Sequence, residues 1–197
     1  MTTNMFDELH ADAATLDRLH QRLERNADAD GVLDVAYRTI DSPVGTLLLA
    51  TTAVGLVRVA YDIEGHDAVL ARLADTVSPR ILRAPARLDA TARQIEEYFA
   101  KRRTTFEVPI DLRLAEGFRR NVIEHLRDIG YGRRESYATV AAAIGHPRAV
   151  RAVGTACAHN PLPVVIPCHR VVRSDGSTGS YVGGPLAKST LLDLEAA

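Results

Sequence analysis

The sequence predicts an α+β chain in two parts: an N-terminal domain of antiparallel strands followed by helices, then a helical C-terminal domain containing a helix-turn-helix. Three observations carry this. The strand-like runs "VAYRTID", "GTLLLATT" and "GLVRVAYD" follow one another across loops short enough for hairpins. Helical periodicity takes over in "HDAVLARLAD" and "LDATARQIEEYFAKR". From about Ala115 the composition shifts, and two short Ala/Val-rich helical stretches are joined by a tight "GHP" turn. With 197 residues, 46% apolar and 25% charged, the chain builds a core without disulfide or metal staples.

In chain order, residues 1–34 form a helical arm, 35–112 the α+β domain and 113–197 the C-terminal domain. Phe6, Leu9, Ala13, Leu16, Leu19 and Leu23 recur at helical spacing, and the arm ends in the turn-forming "NADADG". Its apolar stripe is expected to pack on the body of the protein. Ser42-Pro43 and Ala53–Gly55 separate the three strands, and "TFEVPID" reads as a further short strand. "EGFRRNVIEHLRDI" is a helix with Phe118, Val122, Ile123, Leu126 and Ile129 on one side. After the turn "GYGRRES", Ser136 caps the helix "YATVAAAIG", which Gly145 ends. "HPRAVRAVGTACAHN" starts the next helix with Pro147 in its first turn.

Composition narrows the function classes. Two cysteines eleven positions apart make neither a disulfide framework nor a cysteine-rich zinc cluster, and they suit a reduced, cytoplasmic protein. No metal or cofactor is expected. The apolar runs are too short for a membrane span, and the acidic start lacks a signal-peptide pattern. Charge is uneven: eight acids and three arginines give residues 1–34 a net −5, residues 35–114 carry +1, and residues 115–197 carry +3. A mildly basic C-terminal part permits contact with DNA without demanding it. Ala-rich helix pairs also occur in proteins that never meet DNA.

The stretch "NPLPVVIPCHRVV" concentrates the chemistry. It reads as a buried strand or extended segment, with Pro167 biasing Ile166 toward an extended conformation. A free cysteine has a pKa near 8.5, so nucleophilic work by Cys168 needs a base to take its proton and a carboxylate to orient that base. His169 is the adjacent base. Neighbours on an extended chain face opposite ways, so the proton path runs through a bridging water. Asp175, Asp193 and Glu195 are the carboxylate candidates, and spacing does not choose among them. A lone cysteine in an apolar run also reads as a small core hydrophobe, as Cys157 does in the second Ala-rich helix.

The motifs "SYATVAAAIGHPRAVRAVG", "NPLPVVIPCHRVV", "SDGSTGSYVGG" and "KSTLLDLE" together resemble the O6-alkylguanine-DNA alkyltransferase family over residues 115–197. "YRTIDSPVGTLLLA" is similar to the start of that family's ribonuclease-H-like N-terminal domain, and residues 1–34 have no counterpart in the minimal pattern. The resemblance implies that Cys168 accepts the alkyl group, that His169 takes its proton through water, and that Glu195 orients the histidine. It implies that Asn160 braces the active-site turn and that Arg151 fills the base stack where the damaged nucleotide leaves. Tyr137 would stand at the phosphate turn and donate a proton to departing guanine. Ala149 and Ala152 would allow close approach to the minor groove. Tyr181 and backbone groups of Val171 and Val182 would line the pocket. The implied partner is double-stranded DNA carrying O6-alkylguanine, with O4-alkylthymine a second candidate substrate and self-association on DNA a further expectation. Ile123 stands where many members carry tryptophan, and Val182 and Pro185 also depart from the usual pattern, which bears on alkyl-group size. Two other classes remain open from sequence: a non-catalytic DNA-binding module, and a cysteine hydrolase using Cys168 and His169.

Overall fold

The computed structural model describes residues 12–196. Four strands form one sheet: β1 (Val35–Ile40), β2 (Leu47–Thr51), β3 (Leu56–Tyr61) and β4 (Ile81–Arg83), in the order β3-β2-β1-β4. The first three are antiparallel neighbours, as the hairpin spacing predicts, and β4 pairs parallel with β1. The unbroken apolar run of β2 follows from coverage of both sheet faces. Leu48 and Ala50 pack with Val69 and Leu73 of helix α2 (His66–Thr76). Leu47 and Leu49 face the other way, toward Ile95 and Tyr98 of helix α3 (Asp89–Phe99) and the C-terminal half.

The predicted strand "TFEVPID" does not form. Only Ile110 bridges to Leu56, flanked by Leu56 N–H donating to Pro109 O at 2.8 Å and Asp111 N–H to Leu56 O at 2.9 Å. Pro109 has no N–H to extend a ladder. Gly55 makes this approach possible, since a Cβ there would stand 2.4 Å from the Pro109 carbonyl.

The arm also departs from expectation. Its described part is α1 (Ala13–Ala29), capped by Asp12, but Leu16, Leu19 and Leu23 remain 55%, 55% and 54% exposed. Polar and small contacts hold it instead: His20 Nε2 against Arg83 O at 2.6 Å, an Arg87–Asp28 ion pair, and Ala27 against Leu33, Ala36 and Ala84. Phe6 and Leu9 lie outside the described residues.

The C-terminal half packs α4 (Gly117–Leu126), α5 (Tyr137–Ala143) and α6 (Val150–Ala158) on one another, with α7 (Gly184–Ala196) closing the core. Ser136 accepts from Thr139 N–H at 3.0 Å, and Gly145, at φ 78°, ends the chain's run after α5. Pro147 lies in the connecting turn rather than inside α6. Ala149 N–H closes on His146 O at 2.8 Å, so the helix begins only at Val150. Strands β5 (Glu135–Ser136) and β6 (Val171–Val172) pair in parallel, which sets Tyr137 beside the Cys168 turn.

Candidate active site

The segment before Cys168 is a compact turn, not the extended strand expected. Ile166 N–H returns to Leu162 O and Cys168 N–H to Ile166 O, each at 2.8 Å, and Cys168–Arg170 form a 3-10 turn. The cause is Asn160. Its amide donates to Ile166 O at 2.9 Å and to Cys168 Sγ at 3.1 Å, while its oxygen accepts from Leu162 N–H at 3.0 Å. Asn160 is fully buried, so these bonds are worth more than in water. They hold Val164 at φ 72°, a region costly for a β-branched residue, by about 1–3 kcal/mol.

Cys168 is 2% exposed. Burial pushes its thiol up to about 11, against the pull of the Asn160 hydrogen bond and the Lys188 charge. His169 is buried beside it, with Nε2 2.9 Å from Glu195 Oε1 and Nδ1 making no hydrogen bond to the described residues. Glu195 therefore receives Nε2–H, which leaves Nδ1 as the basic nitrogen. Burial holds the imidazole below its usual range despite the carboxylate.

Glu195 is the only one of the three carboxylate candidates that meets His169. Asp175 sits in an exposed turn bonded to Ser177, and Asp193 is exposed. Burial would raise the Glu195 carboxyl, but hydrogen bonds from His169, Arg170 and Tyr98 together hold it well below the usual range. Tyr98 O–H donates at 2.6 Å, Arg170 donates through Nε and Nη2 at 2.9 Å each, and Gly132 N–H at 3.2 Å.

The remaining predicted residues divide. Tyr137 opens α5 half-buried, and burial pushes its hydroxyl up to about 12, so it stays protonated at neutral pH. With Arg151, Thr155, Arg173, Gly179 and Ser180 it lines a cavity of about 390 Å³; the Cys168 sulfur itself does not line this cavity. Arg151 and Ala152 are exposed on α6, and Ala149 precedes its first turn. Tyr181 lies edge-on to the His169 ring at 6.4 Å. Val182 lines a different cavity, of about 260 Å³, with Arg58, Arg119 and Pro161. The Val171 carbonyl accepts from Lys188 Nζ at 2.6 Å. Cys157 is buried, and burial pushes its thiol far up, consistent with packing.

Four contributors escaped the sequence reading: Tyr61, Tyr98, Arg170 and Lys188. Lys188 had a signal, being the sole base in the apolar stretch "LAKSTLLDLE", and it is fully buried with Nζ 5.8 Å from the Tyr137 ring. Tyr61 and Tyr98 had none, because a tyrosine on the inner face of a strand or helix reads as packing.

Comparison with known proteins completes the assignment. Residues 35–112 match the sequence model described as "6-O-methylguanine DNA methyltransferase, ribonuclease-like domain", and residues 117–197 match "6-O-methylguanine DNA methyltransferase, DNA binding domain". A methylated-DNA–protein-cysteine methyltransferase of Mycolicibacterium paratuberculosis is 40% identical over 167 residues, spanning 82% of this chain and 92% of the relative. The E. coli bifunctional transcriptional activator/DNA repair enzyme Ada is 37% identical over 166 residues, which span 83% of this chain and 46% of Ada. The crystal structure of Mycobacterium tuberculosis O6-methylguanine methyltransferase superimposes with a TM-score of 0.73 at 36% identity, covering 82% of this chain and 93% of that one. That of the M. tuberculosis protein in complex with DNA gives 0.71 at 36% identity, covering 82% and 92%. With both halves matched and a methylated-DNA–protein-cysteine methyltransferase 40% identical over 92% of its length, the chain belongs to the 6-O-methylguanine DNA methyltransferase family.

Proposed function

We propose that this chain repairs O6-alkylguanine in double-stranded DNA by moving the alkyl group once, irreversibly, onto Cys168. It is a self-modifying cysteine transferase of its family, a class in which the protein is reagent as well as catalyst. The observation that carries the reading is the linked set Asn160–Cys168 and His169–Glu195, with His169 Nδ1 left as acceptor.

The thiol proton passes to His169 Nδ1 through a water, and ionised Glu195 stabilises the imidazolium that results. The S–C bond forms as the C–O bond to guanine breaks. Tyr137, still protonated, donates to the leaving base. The alkyl carbon is buried in a duplex, so the nucleotide must swing out at a cost of a few kcal/mol. Arg151, exposed on α6 at the mouth of the Tyr137 cavity, fills the vacated stack. The α5–α6 pair serves as the DNA-binding helix-turn-helix, with Ala149 and Ala152 keeping its surface low enough for the minor groove. A reducing, cytoplasmic compartment keeps Cys168 a thiol.

Intact-mass measurement after incubation with an O6-methylguanine duplex tests this. One methyl group gained on Cys168, without turnover, is the expected result, and Cys168→Ser abolishes it while DNA affinity persists. Transfer surviving in Cys168→Ser, or repeated turnover, sinks the reading.

A further inference from the structure

Tyr98 brings a hydroxyl from the first half of the chain to the carboxylate behind His169. It lies on α3, is fully buried, and donates to Glu195 Oε1 at 2.6 Å, a length typical of a hydroxyl bound to a charged carboxylate. Its ring is wedged among aromatic neighbours, with centroids 5.3 Å from Phe99, 5.3 Å from Phe106 and 6.1 Å from Tyr131. The two halves are also fastened along β3. Val59 N–H donates to Pro161 O at 2.9 Å, and the Tyr61 hydroxyl stands 2.9 Å from that of Tyr181. The phenol of Tyr98 is thus held in place by the fold, not by Glu195 alone.

Five donors converge on Glu195. Oε1 receives Tyr98 O–H, His169 Nε2–H at 2.9 Å and Arg170 Nη2–H at 2.9 Å, while Oε2 receives Arg170 Nε–H at 2.9 Å and Gly132 N–H at 3.2 Å. An ionised carboxylate offers about four lone-pair sites and no proton, so Tyr98 can only donate, and it shares its oxygen with His169. Its bond is the shortest of the five. Charge drawn toward the phenol is withheld from the imidazole, and burial makes that competition strong.

The consequence falls on the protonation of His169. A buried carboxylate with few other donors favours imidazolium, and an imidazolium cannot accept the thiol proton. Taking one donor from Glu195 leaves it a stronger partner for the charged ring. His169 would then protonate at higher pH, and the neutral acceptor would be lost sooner on acidification. The titratable and charged groups around His169 and Glu195 are Tyr98 from α3, Tyr131 from the loop after α4, Arg170 from the Cys168 turn, Tyr181 from the loop before α7 and Lys188 from α7, with Cys168 next in the chain. Arg170 and Lys188 are cations that oppose a charged imidazole. Tyr98 is the uncharged side chain among these that is bonded to the carboxylate itself.

Resting on the alkyl-transfer reading above, we infer that Tyr98 is a positioning residue for the reaction: its hydroxyl, held on Glu195 Oε1, limits the grip of that carboxylate on His169, so that Nδ1 meets the Cys168 proton as a free base. Tyr98→Phe removes the hydroxyl and keeps the ring among its aromatic neighbours. In single-turnover transfer from an O6-methylguanine duplex, the acid-side fall in rate should set in about one pH unit higher than in wild type. The slowing should reach about tenfold on that side and fade as pH rises. A nitrogen-15 NMR titration of His169, performed without DNA, should move upward by the same amount. Placing 3-fluorotyrosine at position 98, a stronger donor of nearly the same shape, should move both readouts downward, and it decides the matter alone should Tyr98→Phe not fold. Equal slowing at every pH with an unmoved His169 titration would mean a packing role and overturn the inference, as would a wild-type profile and titration in both variants. Wild-type transfer beside an unmoved titration defeats the Tyr98 role alone, whereas a wild type that never transfers defeats alkyl transfer itself.

Discussion

In the proposed reaction, Cys168 and His169 together set the pH behaviour. A thiol pushed up to about 11 would be ionised to only about one part in ten thousand at neutral pH, far too little for unaided attack. Because that value is raised, thiolate is scarce at every pH below it and grows tenfold per unit as pH rises. In the proposed reaction the His169 Nδ1 acceptor would remove this dependence by taking the proton locally. His169→Ala should therefore lower the neutral single-turnover rate about 10²-fold or more. Its rate should then climb log-linearly with pH, while the wild-type profile stays flatter. A variant as fast as wild type at neutral pH would show that the proton leaves by another route.

Among the elements, the loop from Arg173 to Gly183 is fitted against α5. A Cβ on Gly179 would stand 2.4 Å from the Tyr137 hydroxyl and 3.0 Å from its ring carbons. The nearest atom ends a side chain, so Gly179→Ala should displace the phenol without breaking the fold. Misplacement of a proton donor on that scale costs about tenfold or more in transfer rate, readable by single-turnover kinetics beside an unchanged melting curve. An unaltered rate would show that the Tyr137 hydroxyl takes no part. The elements themselves were largely legible. Helices α2 to α6 and strands β1 to β3 announced themselves by periodicity, caps and turn residues. β4 did not, since three residues paired to a distant parallel strand leave no pattern. The run "PLPVVIP" misled because apolar content suggests a strand, whereas the outcome was decided by one side chain, Asn160, outside the run. Glu195 was reachable only through resemblance, because carboxylates at 175, 193 and 195 look alike until folding brings one of them to His169. Tyr98 was illegible for a related reason: its partner lies 97 residues away.

At the scale of the whole molecule, the arm and the body separate cleanly in energetic terms. No described residue of α1 is buried, and its exposed ion pair Arg87–Asp28 contributes at most about 1 kcal/mol. Deleting residues 1–30 should leave the transfer rate within about twofold and lower the melting temperature by about 2–4 °C. A tenfold loss of rate would instead assign the arm a part in the reaction. The two larger halves behave oppositely, because one continuous core spans them. On the outer edge of β3, the Val59 N–H is satisfied only by Pro161, from the far half of the chain. Severed near residue 113, the leading fragment would present an open, apolar strand edge to its neighbours. Such an edge recruits other chains, so the fragment would be prone to clumping where the intact protein is not.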